Sequence, residues 1–151
     1  MNEQYLSQVR VLSHENAKEA SVAVRRQCFS VGQAIEFDSE APLASALEYV
    51  LGALGADIVT GFKRLADRRG VAVDEVEALI TGRLNNPLVY LGVVGEKGNP
   101  GLEHVSVKVF VSTFAPADTI EEVWQEVLRR SPLVCTFRRA VTLELNWKAA
   151  F

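Results

Sequence analysis

The most regular hydrophobic pattern in the chain lies between Leu47 and Leu65. Its apolar residues recur at steps of three and four, which is the spacing of a helix face that packs into a core; they are Leu47, Val50, Leu51, Leu54, Ile58, Phe62 and Leu65. Pro42 suits the first turn of a helix, and the arginines before Gly70 suit its last turn. The pattern therefore predicts a long central helix over residues 42–70.

Before this helix, residues 1–40 are typical of an antiparallel β-meander. The segments YLSQVRVL and SVAVRRQCF are strand-like, because Val22 and Val24 alternate with Ala23 and Arg25. Gly32 is a plausible turn before a third predicted strand, QAIEF.

After the helix, the pattern of residues 71–151 predicts strands, a helix pair and a final strand. VAVDEVEALITGRL is typical of a strand, NNPLVYLGVVGEKGNPG of a loop, and HVSVKVFVSTF of a strand with its valines on one side. DTIEEVWQEVLRR predicts a helix that starts with a capping box of Thr119 and Glu122. SPLVCTFRRA predicts a second helix, with Ser131 as N-cap and Pro132 at its first position. VTLELNW alternates like a half-buried strand.

The predicted order βββ-α-ββ-αα-β indicates an α+β fold. No repeat and no long linker interrupts the chain, so residues 1–151 are expected to form a single domain. At 151 residues and 48% hydrophobic content, the chain can fill a core alone or together with a partner subunit.

Charge and composition narrow the function classes. A net charge of −3 gives no electrostatic basis for binding nucleic acid. The apolar helix is not expected to span a membrane, because Glu48 and Asp57 interrupt it well short of the roughly 20 apolar residues required. With no apolar leader at the N-terminus and only two cysteines, a cytoplasmic location is expected. The two histidines do not cluster with acidic residues or cysteines, so no metal or other cofactor is predicted.

Asp57 is the first candidate for a functional residue. It is the one charged side chain between Tyr49 and Phe62, and its spacing from Leu54 turns it inward. A buried carboxylate needs donors, a shared proton or water, because a bare buried charge is too costly. Two interpretations stay open: a hydrogen-bonded network with Ser131, Thr136 or an arginine of a partner subunit, or a ligand-binding role.

Three segments carry a resemblance to a known family. EYVLGALGAD is similar to ELLLAALGAC, the central-helix motif of the OsmC/Ohr family (osmotically inducible protein C-like, organic hydroperoxide resistance). RRSPLVCTF resembles the family's second motif, in which a Cys-Pro or Ser-Pro pair opens a helix. TGRLNNPLVYLGVVGEKGNPGLEHVSVKVFV resembles the glycine-rich connection and returning strand of an OsmC-like subgroup. Together the likeness covers residues 42–147.

The resemblance implies an OsmC-like fold, with antiparallel sheets around a long central helix, in an intertwined homodimer with sites at the subunit interface. It also implies peroxiredoxin-like chemistry in the oxidative stress response. A thiolate attacks the O–O bond of a hydroperoxide, and a second cysteine resolves the sulfenic acid. In this chain the two matching positions hold Asp57 and Ser131. The family's activating glutamate aligns with Leu47, one residue before Glu48, and its activating arginine has Arg25 or Arg26 as candidates.

Two functions follow as hypotheses. The first is a dimer without the redox pair, either catalytically degenerate or binding a small hydrophobic ligand at the subunit interface; the expected pocket residues are Glu48, Leu54, Ile58, Phe62 and Phe137. The alternative is a thiol-dependent organic hydroperoxide reductase that uses Cys135, one helical turn after Ser131. Against that alternative, Cys135 is interpreted as a small buried hydrophobic residue, and Cys28 as core packing within a strand.

Overall fold

The computed structural model describes residues 4–150; residues 1–3 and 151 of the predicted single domain lie outside the described residues. Residue contacts divide the chain into two compact units, Met1–Val50 and Leu51–Phe151. The boundary lies inside the first helix, where the sequence carries no linker signal.

The first unit contains a three-stranded antiparallel sheet in the order β1 (Arg10–Leu12), β2 (Ala20–Val24) and β3 (Gln27–Val31). The meander is confirmed, but two of its predicted strands are wrong. SVAVRRQCF is a hairpin rather than one strand, because the chain reverses at Arg25, whose φ is 53°. QAIEF forms no strand. A left-handed turn at arginine, without glycine or proline, gives no turn signal in the sequence.

This first unit buries very few side chains. Among its described residues only Val31 and Ser45 are buried. Its large apolar side chains are exposed instead; they include Tyr5, Leu6, Val9, Val11, Leu12, Phe29, Phe37, Tyr49 and Val50. The unit therefore has almost no hydrophobic core of its own.

Helix α1 (Ala46–Arg68) begins four residues after the predicted start at Pro42. Ser45 and Glu48 form a capping box: the Ser45 amide donates to Glu48 Oε1 at 2.9 Å, and the Glu48 amide donates to Ser45 Oγ at 3.1 Å. The S-x-x-E spacing of this box is visible in the sequence and is a more specific start signal than Pro42. The predicted end is confirmed by Gly70, whose φ is 68°.

The second unit has a three-stranded sheet in the order β4 (Glu75–Leu84), β5 (Leu102–Ser112) and β6 (Thr142–Ala149). β4 and β5 are antiparallel, but β6 runs parallel to β5, with His104 opposite Thr142. The prediction of purely antiparallel sheets is therefore wrong. Helices α3 (Ala117–Arg130) and α4 (Pro132–Ala140) carry the chain back to the start of β5, and such a crossover produces a parallel pair.

One face of this sheet is packed against helices. The inward valines of β5 form a single core cluster with buried residues of α1, α3 and α4; the cluster includes Leu54, Ile58, Phe62, Val105, Val107, Val109, Val111, Ile120, Val123, Trp124, Val127 and Val134. The predicted alternation of β5 and β6 is confirmed, because their apolar positions face this cluster.

Two local predictions differ from the structure. The predicted loop between β4 and β5 contains a short helix, α2 (Pro87–Leu91), capped by the Asn86 side chain and stopped by Gly92. Helix α3 starts at Ala117 without a side-chain cap, so Thr119 and Glu122 form no capping box. Within residues 4–150, no helix combines the length and apolar character that a membrane crossing requires.

Candidate functional site

The candidate site centres on Asp57, in the middle of α1, where its half-buried carboxylate faces the start of α4. Two donors from α4 bind the same oxygen: Ser131 Oγ donates to Asp57 Oδ2 at 2.8 Å, and the Leu133 amide donates to it at 2.9 Å. A carboxylate at this position is favourable, because helix N-terminal amides point outward and carry partial positive charge.

Ser131 connects this carboxylate to the helix that it caps. Its hydroxyl donates to Asp57 and also accepts the Val134 amide at 3.1 Å, as an N-cap does. The Ser131 side chain is buried, with 5% of the residue exposed. The predicted N-cap is thus confirmed, and the same hydroxyl holds α4 against α1.

A small cavity of about 90 Å³ lies beside this hydrogen-bonded pair. Its walls come from α1 and from the α3–α4 junction, and consist of Asp57, Gly61, Arg64, Leu65, Val127, Arg130, Ser131 and Pro132. Arg64 forms no ion pair or side-chain hydrogen bond with any described residue. Arg130 pairs through Nε with Glu126 Oε1 at 2.6 Å.

Glu126 is shared between two arginines. It accepts hydrogen bonds from Arg129 Nη2 at 2.7 Å while it pairs with Arg130. The hydrogen bond from Arg129 and the nearby positive charges lower the pKa of Glu126, so it remains ionised. One carboxylate therefore balances two guanidinium groups at this end of α3.

Both cysteines lie outside the cavity walls. Cys135 is exposed, and its Sγ is 3.7 Å from the carbonyl oxygen of Arg129. Cys28 is also exposed, on β3, with Sγ 3.1 Å from Ser21 Oγ. The interpretation of both thiols as buried packing residues is wrong for this chain, because neither side chain is covered.

The five residues expected to line a hydrophobic pocket at the subunit interface have different surroundings in the single chain. Leu54, Ile58 and Phe62 are 0% exposed within the core cluster, and Phe137 packs against that cluster. Glu48 is exposed in the capping box, where the hydrogen bond from the Ser45 amide lowers its pKa. Helical periodicity correctly identified the inward face of α1. At Leu54, Ile58 and Phe62, however, this face packs against the core and does not line a pocket.

Sequence reasoning missed the arginines of the cavity and the backbone donor. Arg64 lies two helical turns after Asp57, a spacing that places both on one side of α1 and would have been a usable signal. The Leu133 amide carries no residue-type signal at all. Thr136, another expected donor to Asp57, instead donates to the carbonyl oxygen of Pro132. In the part of the chain from 4 to 150, no group of three or more histidine, cysteine or acidic side chains could hold a metal ion.

A family model described as OsmC-like protein matches residues 38–146. The match covers more than half of the chain and includes α1, the whole second sheet apart from its last residues, and both helices of the candidate site. Among curated proteins, none matches this chain significantly in sequence.

Solved structures share the fold at low sequence identity. An OsmC-like protein from Mycoplasma pneumoniae superimposes with a TM-score of 0.80 at 15% identity, covering all of both chains. An organic hydroperoxide resistance protein OsmC from Legionella pneumophila gives a TM-score of 0.68 at 13% identity, covering 97% of this chain and 99% of that one. An organic hydroperoxide resistance protein from Elizabethkingia anophelis, with crystallant-derived thiocyanate bound, gives a TM-score of 0.72 at 11% identity. The match covers 99% of this chain and 100% of that one.

Proposed function

Because this chain belongs to the OsmC-like protein family, we propose that it is a homodimeric member in which Asp57 and Ser131 replace the redox cysteine pair. In this proposal the protein does not reduce organic hydroperoxides by a thiol mechanism, and the former redox site binds a small molecule.

One observation carries the proposal. Asp57 Oδ2 accepts hydrogen bonds from both Ser131 Oγ and the Leu133 amide. At the two positions that the motifs assign to cysteines, the chain thus has a bonded carboxylate and hydroxyl, which cannot form a sulfenic acid or a disulfide. The Ser131 hydroxyl has a hydrogen-bond acceptor and the Asp57 carboxylate has a donor, so both groups are stable in this arrangement without a covalent bond between them.

The ligand in this proposal is small and partly polar. The apolar side chains expected to line a hydrophobic pocket are packed in the core, which removes the support for a purely hydrophobic ligand. The cavity that remains beside Asp57 is about 90 Å³ and is lined in part by charged residues.

A single-turnover thiol count tests the loss of redox function. The protein is mixed with one equivalent of cumene hydroperoxide, and free thiols are then counted with Ellman's reagent. We expect slow loss of thiol and no intramolecular disulfide, because a disulfide requires a second thiol next to the first. Cys28→Ser and Cys135→Ser identify which thiol reacts. Rapid loss of both thiols with formation of a Cys28–Cys135 disulfide would contradict the proposal.

The alternative function, a hydroperoxide reductase that uses Cys135, has one observation in its favour. The Cys135 thiol is exposed, so a hydroperoxide can reach it. It does not line the cavity beside Asp57, however. We therefore retain it as the second candidate.

The homodimer is proposed from the exposed apolar surface of the single chain. The first unit has almost no buried side chain. On α1, the exposed positions between Glu48 and Asp57 are all apolar or small; they are Tyr49, Val50, Gly52, Ala53 and Ala56. Contiguous apolar surface of this kind is typical of an interface.

We expect Ala53→Glu to dissociate the dimer, because it places a charge on this apolar face and is accommodated in the isolated chain, where Ala53 is exposed. The substitution should weaken dimerisation by about tenfold or more. Sedimentation velocity at micromolar concentration measures it. Ala72→Glu is the matched control, since Ala72 is exposed outside α1. A wild-type monomer, or a dimer unaffected by Ala53→Glu, would refute the proposed interface.

A further inference from the structure

We infer that the cavity beside Asp57 binds a small carboxylate monoanion that also carries a hydroxyl group, the chemistry of a short 2-hydroxy acid. This inference rests on the proposed function, because it names the ligand class of the same site.

The charges around the cavity favour a monoanion. The residues that line it include Arg64, Arg130 and Asp57, which together carry one more positive charge than negative. Glu126 offsets Arg130 but is already shared with Arg129. Arg64 has no carboxylate partner among the described residues, and a planar guanidinium pairs well with a planar carboxylate.

The second oxygen of Asp57 sets the requirement for a hydroxyl. Oδ2 receives both α4 donors, whereas no described residue donates to Oδ1. Among the described residues no buried side-chain oxygen lacks a partner, so Oδ1 is open to solvent. An anion held by Arg64 would be repelled by this oxygen unless it also donated a hydrogen bond to it. A hydroxyl next to the carboxylate supplies that donor.

The size of the cavity limits the ligand to a few atoms. Its volume of about 90 Å³ is well below the roughly 300–1,000 Å³ of pockets that hold drug-sized ligands, so it favours a ligand of few heavy atoms. Gly61 leaves part of this space free, because a Cβ built there would meet nothing nearer than Val127 Cγ1 at 4.0 Å. Glycolate, which has a carboxylate and one hydroxyl, matches both the size and the required groups.

Titration calorimetry with glycolate and acetate tests the inference on the full chain. We expect saturable binding of glycolate and binding of acetate that is weaker by about tenfold, since acetate lacks the hydroxyl. Arg64→Gln should weaken glycolate binding by about tenfold or more, whereas Lys63→Gln, which removes the same charge from the neighbouring exposed position, should leave it unchanged.

Gly61→Ala separates loss of binding from loss of folding. Its methyl group occupies part of the cavity without a clash, and alanine is the better helix former, so the Tm should stay the same or rise while glycolate binding weakens. Absence of glycolate binding, equal binding of acetate, or unchanged binding in Arg64→Gln or Gly61→Ala would overturn the inference. The thiol count tests the proposed function separately, so a failed titration with an unreactive protein rejects the ligand class alone.

Discussion

Mixed with excess organic hydroperoxide and dithiothreitol, the protein is expected to remove peroxide no faster than dithiothreitol alone. Turnover requires an attacking thiolate and a resolving thiol, and Asp57 and Ser131 provide neither. Cys135 is the fourth residue of α4, and no second cysteine lies in that helix to resolve a sulfenic acid. Relative to a working thiol peroxidase, we expect a loss on the order of 10³-fold or more, the scale that removal of a nucleophile produces.

The measurement is continuous loss of peroxide under multiple-turnover conditions. Cys28→Ser and Cys135→Ser are matched variants, because each removes one exposed thiol from the described part of the chain. Both should behave as the wild type. Rapid turnover that is abolished in Cys135→Ser and retained in Cys28→Ser would establish the reductase instead.

Asp57→Ala is expected to lower the free energy of unfolding by about 1–3 kcal/mol, the cost of leaving a buried donor unpaired. It removes the acceptor of both the Ser131 hydroxyl and the Leu133 amide, and Ser131 is buried. Asp57→Asn should cost less, because the amide oxygen can still accept both hydrogen bonds.

Urea unfolding at one fixed protein concentration measures these changes. Asp67→Ala is the control: Asp67 is exposed on the same helix and forms no side-chain hydrogen bond with a described residue, so its removal should change stability by less than about 0.5 kcal/mol. Equal and negligible losses for Ala and Asn at position 57 would mean that the carboxylate is solvated and holds nothing.

Elements with strong local signals were predictable from the sequence. The valines of β5 alternate without interruption, and the strand extends over them as expected. Ser131 and Pro132 carry the chemistry of a helix start, and α4 begins there. These features depend on residues close in sequence, so local sequence patterns are sufficient to predict them.

Features that depend on distant residues were not predictable in the same way. The parallel pairing of β6 with β5 depends on where two helices return the chain. Arg25 adopts a left-handed conformation in a hairpin turn, and no residue type typical of turns marks this position in the sequence. Leu54, Ile58 and Phe62 point inward as their period indicates, but the period does not distinguish a filled core from a cavity wall.

The candidate site was predictable in part for the same reason. The inward position of Asp57 followed from spacing, and its bond to Ser131 was one of the alternatives that the sequence left open. The Leu133 amide is a backbone group without a residue signature, and the place of Arg130 beside Asp57 depends on how α3 and α4 pack on α1.

The scarcity of buried side chains before position 51 has a consequence for biosynthesis. This segment leaves the ribosome before the second unit exists, yet it has only Val31 and Ser45 to bury among its described residues. So little burial cannot offset the chain entropy of ordering about fifty residues. We expect the segment to stay unstructured on the ribosome and to fold only after release. In the proposed homodimer, its exposure to proteases and chaperones lasts until two chains associate.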